Sequence, residues 1–244
     1  MDVGHFLTSS RSIVDQPALG LRSNRRTPTA PPPVGKPGVA DSLGSNLYTV
    51  VQMDVAMSAR HHSQRQREMR RNLYEIVCNV VRYAGFELES APFADTGDGL
   101  RLLLPLDLIR PTHVVDMFVL GLAARLREHR QEVNEAARIR MRVAFDIGLI
   151  EPHLQGWTGD TLVRVARLIE AEPLRAALRA DRQLDLVAVV SDVFYEAVVT
   201  QGYGYIGRYC FRAIRVNVKE FNARAWQLTP GTAGMCGQCY RTVA

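Results

Sequence analysis

No run of about 18 consecutive apolar residues occurs in this 244-residue chain, so no segment reads as a membrane-spanning helix. The N-terminus lacks a charged stretch followed by an apolar one, the pattern of a secretory leader, and the expected location is the cytoplasm. Cysteine is scarce. Of the four, Cys78 and Cys210 lie in apolar surroundings and read as core thiols. Cys236 and Cys239 form one C-x-x-C, where a zinc site would want a second such pair or nearby histidines. The nearest histidine upstream is His153.

What the chain does have fits a globular protein of one large domain or two small ones: 47% hydrophobic and 23% charged residues. Its net charge of +5 gathers in two places. One is an arm bearing Arg11, Arg22, Arg25, Arg26 and Lys36. The other is "ARHHSQRQREMRR" (Ala59 to Arg71), with five arginines and one glutamate. Such charge suits a nucleic acid or a phosphate-bearing ligand, or is simply a solvated helix face. No recognised nucleic-acid motif is present, and aromatics do not interleave with these basic residues, which argues against a nucleic-acid partner.

Residues 1–46 are rich in Pro, Ser, Gly and Arg. "RRTPTAPPPVGKPG" suits neither a helix nor an inner strand, so this stretch reads as a disordered arm. Residues 47–229 read as one folded domain and 230–244 as a loose tail. "LYTVVQMDV" is a β-branched strand. From Ser63 to Gly85 the pattern is helical, with Met69, Leu73, Ile76, Val77, Val80 and Val81 on one face and Gly85 as C-cap. "FELESAPF" and "LRLLLP" read as strands around a hairpin, and Pro111 opens a second helix. "IRMRVAFDIGLI" is a strand. A helical stretch from Gly159 to Leu178 should break or kink at Pro173. "LDLVAVVS" is a strand, "DVFYEAVVTQG" a short helix capped by Asp192 or Ser191, and "YCFRAIRVNVKE" and "ARAWQL" the closing strands.

The order βαββαβ followed by αβαββ predicts an α+β domain, a ferredoxin-like sheet with C-terminal additions. A right-handed crossover makes the first two strands parallel, with the third lying antiparallel between them. That topology brings Asp98, in the hairpin turn "ADTGDG", next to Asp54 at the end of the first strand. Asp-Gly is an ordinary hairpin turn. Two converging carboxylates also repel each other, a strain that divalent cations relieve, and Mg²⁺ favours one or two carboxylates plus substrate phosphates.

Taken in order, "YTVVQMDVAMSA", "TGDG", "MRVAFDIGLI", "GWTGDTLVRVARL", "LVAVVSDVFYEAVV" and "VNVKEFNARAWQL" resemble the class III adenylate/guanylate cyclase homology domain. The likeness runs from about Leu47 to Leu228. It is greatest to a divergent bacterial branch that includes sequences similar to the pyrimidine cyclases of anti-phage systems. The resemblance implies a head-to-tail homodimer with shared active sites. It implies Mg²⁺ or Mn²⁺ held by Asp54 and Asp98, and a nucleoside triphosphate cyclised for bacterial signalling. Arg167, contributed by the other chain, would stabilise the transferring phosphoryl group. Lys219 or Arg224 would meet the triphosphate, and Arg60 would assist where backbone amides cradle phosphates. Several positions depart from the pattern. Val163 stands where the family has a transition-state Asn, Ala94 where it has a purine-reading Lys, Gly156 near that lysine's partner Asp, and Asp146 at its usual strand histidine. These departures leave the nucleobase open. They also keep a second expectation alive, a catalytically degenerate cyclase-like regulator that dimerises or senses nucleotide.

Overall fold

A computed structural model describes residues 47–56, 63–88, 91–154 and 156–230. The N-terminal arm, Arg60 and the Cys236/Cys239 pair lie outside the described residues. Strand β1 (Leu47–Val55) leads into helix α1 (Ser63–Tyr83), a short strand β2 (Phe93–Asp95), β3 (Gly99–Pro105), helix α2 (Pro111–Glu132) and β4 (Met141–Leu149). After β4 come a small hairpin of β5 (Glu151–His153) and β6 (Gly156–Thr158), helices α3 (Asp160–Ile169) and α4 (Glu172–Ala180), and β7 (Leu186–Ser191). Helix α5 (Asp192–Phe194) runs on into a π-helical turn, Tyr195–Val199. Strands β8 (Phe211–Val218) and β9 (Phe221–Leu228) close the domain.

The main sheet has the order β2-β3-β1-β4-β7-β9-β8. β3 lies between β1 and β2 and runs antiparallel to β1, the ferredoxin-like arrangement that the element order predicts. β7 extends the sheet parallel to β4, and the β8–β9 hairpin completes that side.

Alternation along the strands builds two cores. Val51, Met53, Phe145 and Val190 point to one face, where α1 and α2 cover them with Val77, Val80, Phe118 and Leu122. Val50, Leu103, Ala144 and Val189 point to the other, under Leu162, Val165 and Leu168 of α3 and Leu174 of α4. Phe118 and Phe145 meet edge to face, with centroids 6.4 Å apart. Burying one such ring contributes about 1.5–3 kcal/mol.

The structure departs from the sequence reading in two places. "FELESAPF" is not one strand, because β2 is confined to Phe93–Asp95. Gly85, at φ +90, turns the chain off α1, and Leu88 then buries itself in the core. The helical stretch breaks near Pro173, as expected, into two helices. Proline lacks the amide an unbroken helix needs, and it sits instead in the first turn of α4. Cys210, read as a core thiol, is disulfide-bonded.

β1 and β3 leave no room for a side chain at Gly99, the register partner of Asp54. A Cβ there would lie 1.8 Å from the Met53 carbonyl oxygen. The atoms it would meet belong to the backbone of Met53 and Asp54, so no side-chain rotation relieves the overlap. Gly99→Ala is therefore expected to destabilise the chain by about 3 kcal/mol or more, the top of the usual overpacking range. Urea denaturation checks this, and an unchanged midpoint would show that the strands separate freely.

Candidate functional site

The even-numbered face of β1 carries Val50, then Gln52, then Asp54. Moving toward the strand's end, the packing changes from apolar to polar. Gln52 lies directly opposite Arg101 on β3, and its Oε1 accepts from both Nε (3.0 Å) and Nη2 (2.8 Å) of that arginine. Asp54 lies opposite Arg142 on β4. The Arg142 fork donates to both carboxylate oxygens, at 2.8 and 2.5 Å. Asp54 is only 6% exposed. Burial outweighs Arg142 and pushes the carboxyl up to about 6, with the neighbouring Asp98 charge raising it further.

Asp98 sits in the exposed turn between β2 and β3, next to Gly99, the register partner of Asp54. Its carbonyl accepts from Val55 N at 3.0 Å, which ties the turn to the end of β1. The two aspartates therefore sit together, one buried and forked, the other open to solvent. Among the described residues, no group of three or more His, Cys, Asp or Glu could hold a metal ion.

Arg167 lies in the last turn of α3. Its Nη2 donates to Glu220 Oε1 at 3.0 Å, and its Nε is buried without a hydrogen-bond partner. Glu220 and Lys219 form the tight turn between β8 and β9, where Lys219 takes φ +53 and is exposed. Arg167, Arg101, Val163 and Trp157 line a cavity of about 350 Å³. Arg224 lies elsewhere. It shares a β9 face with Trp226, opposite to Ala225, which packs under α3 and α4. Its fork holds Asp192, at 2.8 and 3.2 Å, and this pair draws the Asp192 carboxyl below its ordinary value. Trp226 donates to the same Asp192 oxygen at 2.8 Å and stacks on Tyr195 at 3.7 Å.

No protein-family model matches the chain, and no curated protein matches it in sequence. Solved structures do. An adenylate/guanylate cyclase/hydrolase from Silicibacter pomeroyi superposes with a TM-score of 0.53 at 18% identity, over 75% of this chain and 96% of that one. The chain has the fold of an adenylate/guanylate cyclase domain. A bacterial light-regulated adenylyl cyclase matches with a TM-score of 0.50 at 10% identity. That match covers 75% of this chain and 51% of the longer protein.

On this cyclase fold, Val163 and Arg167 stand one turn apart on the same face of α3, and Val163 is 54% exposed. Ala94 pairs with Arg101 across β2 and β3. Gly156 opens β6. Asp146 is fully buried. It accepts from Ser191 Oγ (2.6 Å), Ile147 N (2.9 Å) and Arg164 Nε (2.8 Å), so it clamps β4 to β7 and α3. Ser191 Oγ in turn accepts from Phe194 N at 3.0 Å, capping α5.

Sequence reasoning missed Arg142, Gln52, Arg101 and Glu220. Arg142 left a readable trace, as a charged residue inside the apolar run "MRVAF" at a position facing the same side as Asp54.

Two outcomes test the Asp54–Arg142 pair. Removing one partner of a buried pair is expected to cost about 3–5 kcal/mol. Arg142→Ala should therefore destabilise strongly, and adding Asp54→Ala should cost much less than the sum of the two single changes, as read in a urea double-mutant cycle. The second outcome concerns pH. The folded carboxyl titrates above its ordinary 3.8, at about 6, so the folded chain favours the protonated form. The contribution of Asp54 to stability is full below the lower value and is lost as pH rises through the upper one. Asp54→Asn should flatten the urea midpoint across that window, measured by tryptophan fluorescence. An unchanged slope would assign the titration to another group.

Proposed function

We propose that the chain binds a nucleoside triphosphate with Mg²⁺ or Mn²⁺ and converts it to a 3′,5′-cyclic nucleotide and pyrophosphate. The observation carrying this reading is that Asp54 and Asp98 meet where β1 ends and β3 begins, on a cyclase fold. The donor chemistry fits. Two carboxylates suit Mg²⁺ when substrate phosphates complete its shell, and Asp54 at about 6 is largely ionised at neutral pH. When bound, the metal ions supply positive charge that activates the attacking 3′-hydroxyl and neutralises the phosphates. The 3′-oxygen forms a bond to the α-phosphorus, the bond from the α-phosphorus to the pyrophosphate oxygen breaks, and the hydroxyl proton leaves to solvent.

The chain's own residues have defined parts in this reading. Asp54 is shared with Arg142, so a cation drawn to it loosens the fork. Arg142 Nη1 is buried without a partner, leaving a donor for an anionic oxygen. Arg167, supplied by a second chain in a head-to-tail homodimer, stabilises charge on the transferring phosphoryl group. Its tie to Glu220 is weak, because that carboxylate is 74% exposed. Lys219, beside Glu220, meets the triphosphate from the same side. No helix among the described residues is long and apolar enough to cross a membrane.

One observation favours a second reading, a degenerate nucleotide-sensing or dimerising regulator. Val163, exposed on α3 beside Arg167, offers no hydrogen bond where the family places an asparagine.

Incubation of the purified chain with each of the four nucleoside triphosphates and Mn²⁺, read by mass spectrometry, separates the two readings. A cyclic product that Asp98→Ala abolishes supports the cyclase. Val163→Asn should then raise turnover by about 10²–10³, the usual value of one oriented donor. Thermal stabilisation by nucleotide without product assigns the sensor. If no triphosphate is converted or stabilises the chain, the cyclase and the nucleotide-sensing reading both fail.

A further inference from the structure

On the face of the sheet away from α3 and α4, helices α1 and α2 leave between them a groove of about 850 Å³. This volume falls in the range of small-molecule sites, roughly 300–1,000 Å³. Its walls are apolar: Val80, Tyr83 and Phe86 from the end of α1 and the turn after it, and Leu108, Met117 and Leu120 from α2 and its approach. Tyr83 is 87% exposed. One wall is held rigidly. Asp116 on α2 accepts from Tyr205 N (2.7 Å) and Ile206 N (2.9 Å), fixing the loop that sets Tyr205 at the rim. Gly204 leaves room for this, since a Cβ there would lie 3.1 Å from the Asp116 carboxylate.

The charges in the groove are unevenly balanced. Arg125 is paired with Glu128 at 2.7 Å. Both Asp116 oxygens are taken by the loop amides, although the carboxylate also lies near His113. The carbonyl of Arg110, the N-cap residue of α2, accepts from Val114 N at 3.1 Å, but its guanidinium has no hydrogen bond or ion pair among the described residues. The first turn of α2 carries no acidic residue and no side-chain cap. The groove is thus an apolar trough with one uncompensated cation at its α2 end.

We infer that this groove binds a small amphiphilic anion, with an elongated apolar body along α1 and α2 and a carboxylate on Arg110. The site is separate from Asp54, Asp98 and Arg167, and the inference stands whether or not the chain is a cyclase. Size favours a small molecule, and charge selects an anionic head over a neutral one.

The test uses the full chain with decanoate and with decanol, titrated by calorimetry and by thermal shift. Decanoate should bind saturably and at least about tenfold more tightly than the alcohol, the value of one charge-assisted hydrogen bond. Arg110→Gln should erase that preference while leaving binding of the alcohol unchanged. Ala124→Trp, at an exposed position lining the groove, should abolish both, with circular dichroism confirming that the fold persists. Equal affinity for acid and alcohol overturns the inference, as does absence of saturable binding or decanoate binding that survives Ala124→Trp. A change of oligomeric state in Ala124→Trp, read by light scattering, assigns the groove to a second copy and overturns it equally.

Discussion

The contact between Asp54 and Arg142 governs the polar end of the sheet. It joins β1 to β4 across the middle of the sheet, at the point where apolar packing gives way to polar side chains. Neither charge is tolerable there alone, because an unpaired ion in so dry a place is disfavoured by several kcal/mol. Together they keep the strand ends in register and hold a carboxylate that an exposed loop would leave free to wander. Burial also keeps the proton affinity of this carboxylate high, so any cation seeking it competes with both a guanidinium and a proton.

The rest of the arrangement follows from the two faces of the sheet. The α1/α2 face is sealed by large apolar side chains, and its polar groups lie at the rim. The α3/α4 face is apolar only part of the way along. Beyond Val50 and Ala144 it carries Gln52, Arg101, Asp54 and Arg142, each answered by a partner on the adjacent strand. These polar side chains are thereby confined to one side of one end. The clamp at Asp146 serves the same division. It fixes α3 on β4 and β7, and so sets the height at which Val163 and Arg167 stand above the sheet.

Period and punctuation made the topology readable. The 3.6-residue stripe of α1, the β-branched strands, and the prolines in the first turns of α2 and α4 each point to one local structure, and the crossover rule orders the strands. The meeting of Asp54 and Asp98 followed from that order alone. Short elements were not readable. β5 and β6 are three residues each, too short for any periodic signal. Leu88 looked like a strand residue because alternation cannot reveal that the side chain is wanted by a helix-covered core. The partners of the site residues were hidden for a further reason. Arg142, Glu220 and Asp192 are recruited by register and turn geometry, which spacing along the chain does not encode. Lys219 and Arg224 look equivalent in sequence, yet one occupies a turn tip beside Arg167 and the other a strand face on the opposite side.

The sheet ends unequally, and this shapes how two copies can meet. On one side β2 offers three residues, too few to template another strand. On the other, β8 presents a full-length border, but its exposed residues include Arg212 and Arg215. A second β8 brought alongside would set like charges against each other along a row of backbone amides. Growth of the sheet from chain to chain is therefore blocked by brevity at one border and by repulsion at the other. Any self-association through the described residues would fall to helices, turns and side-chain surfaces, where it can stop at a defined number of subunits instead of continuing into a fibre.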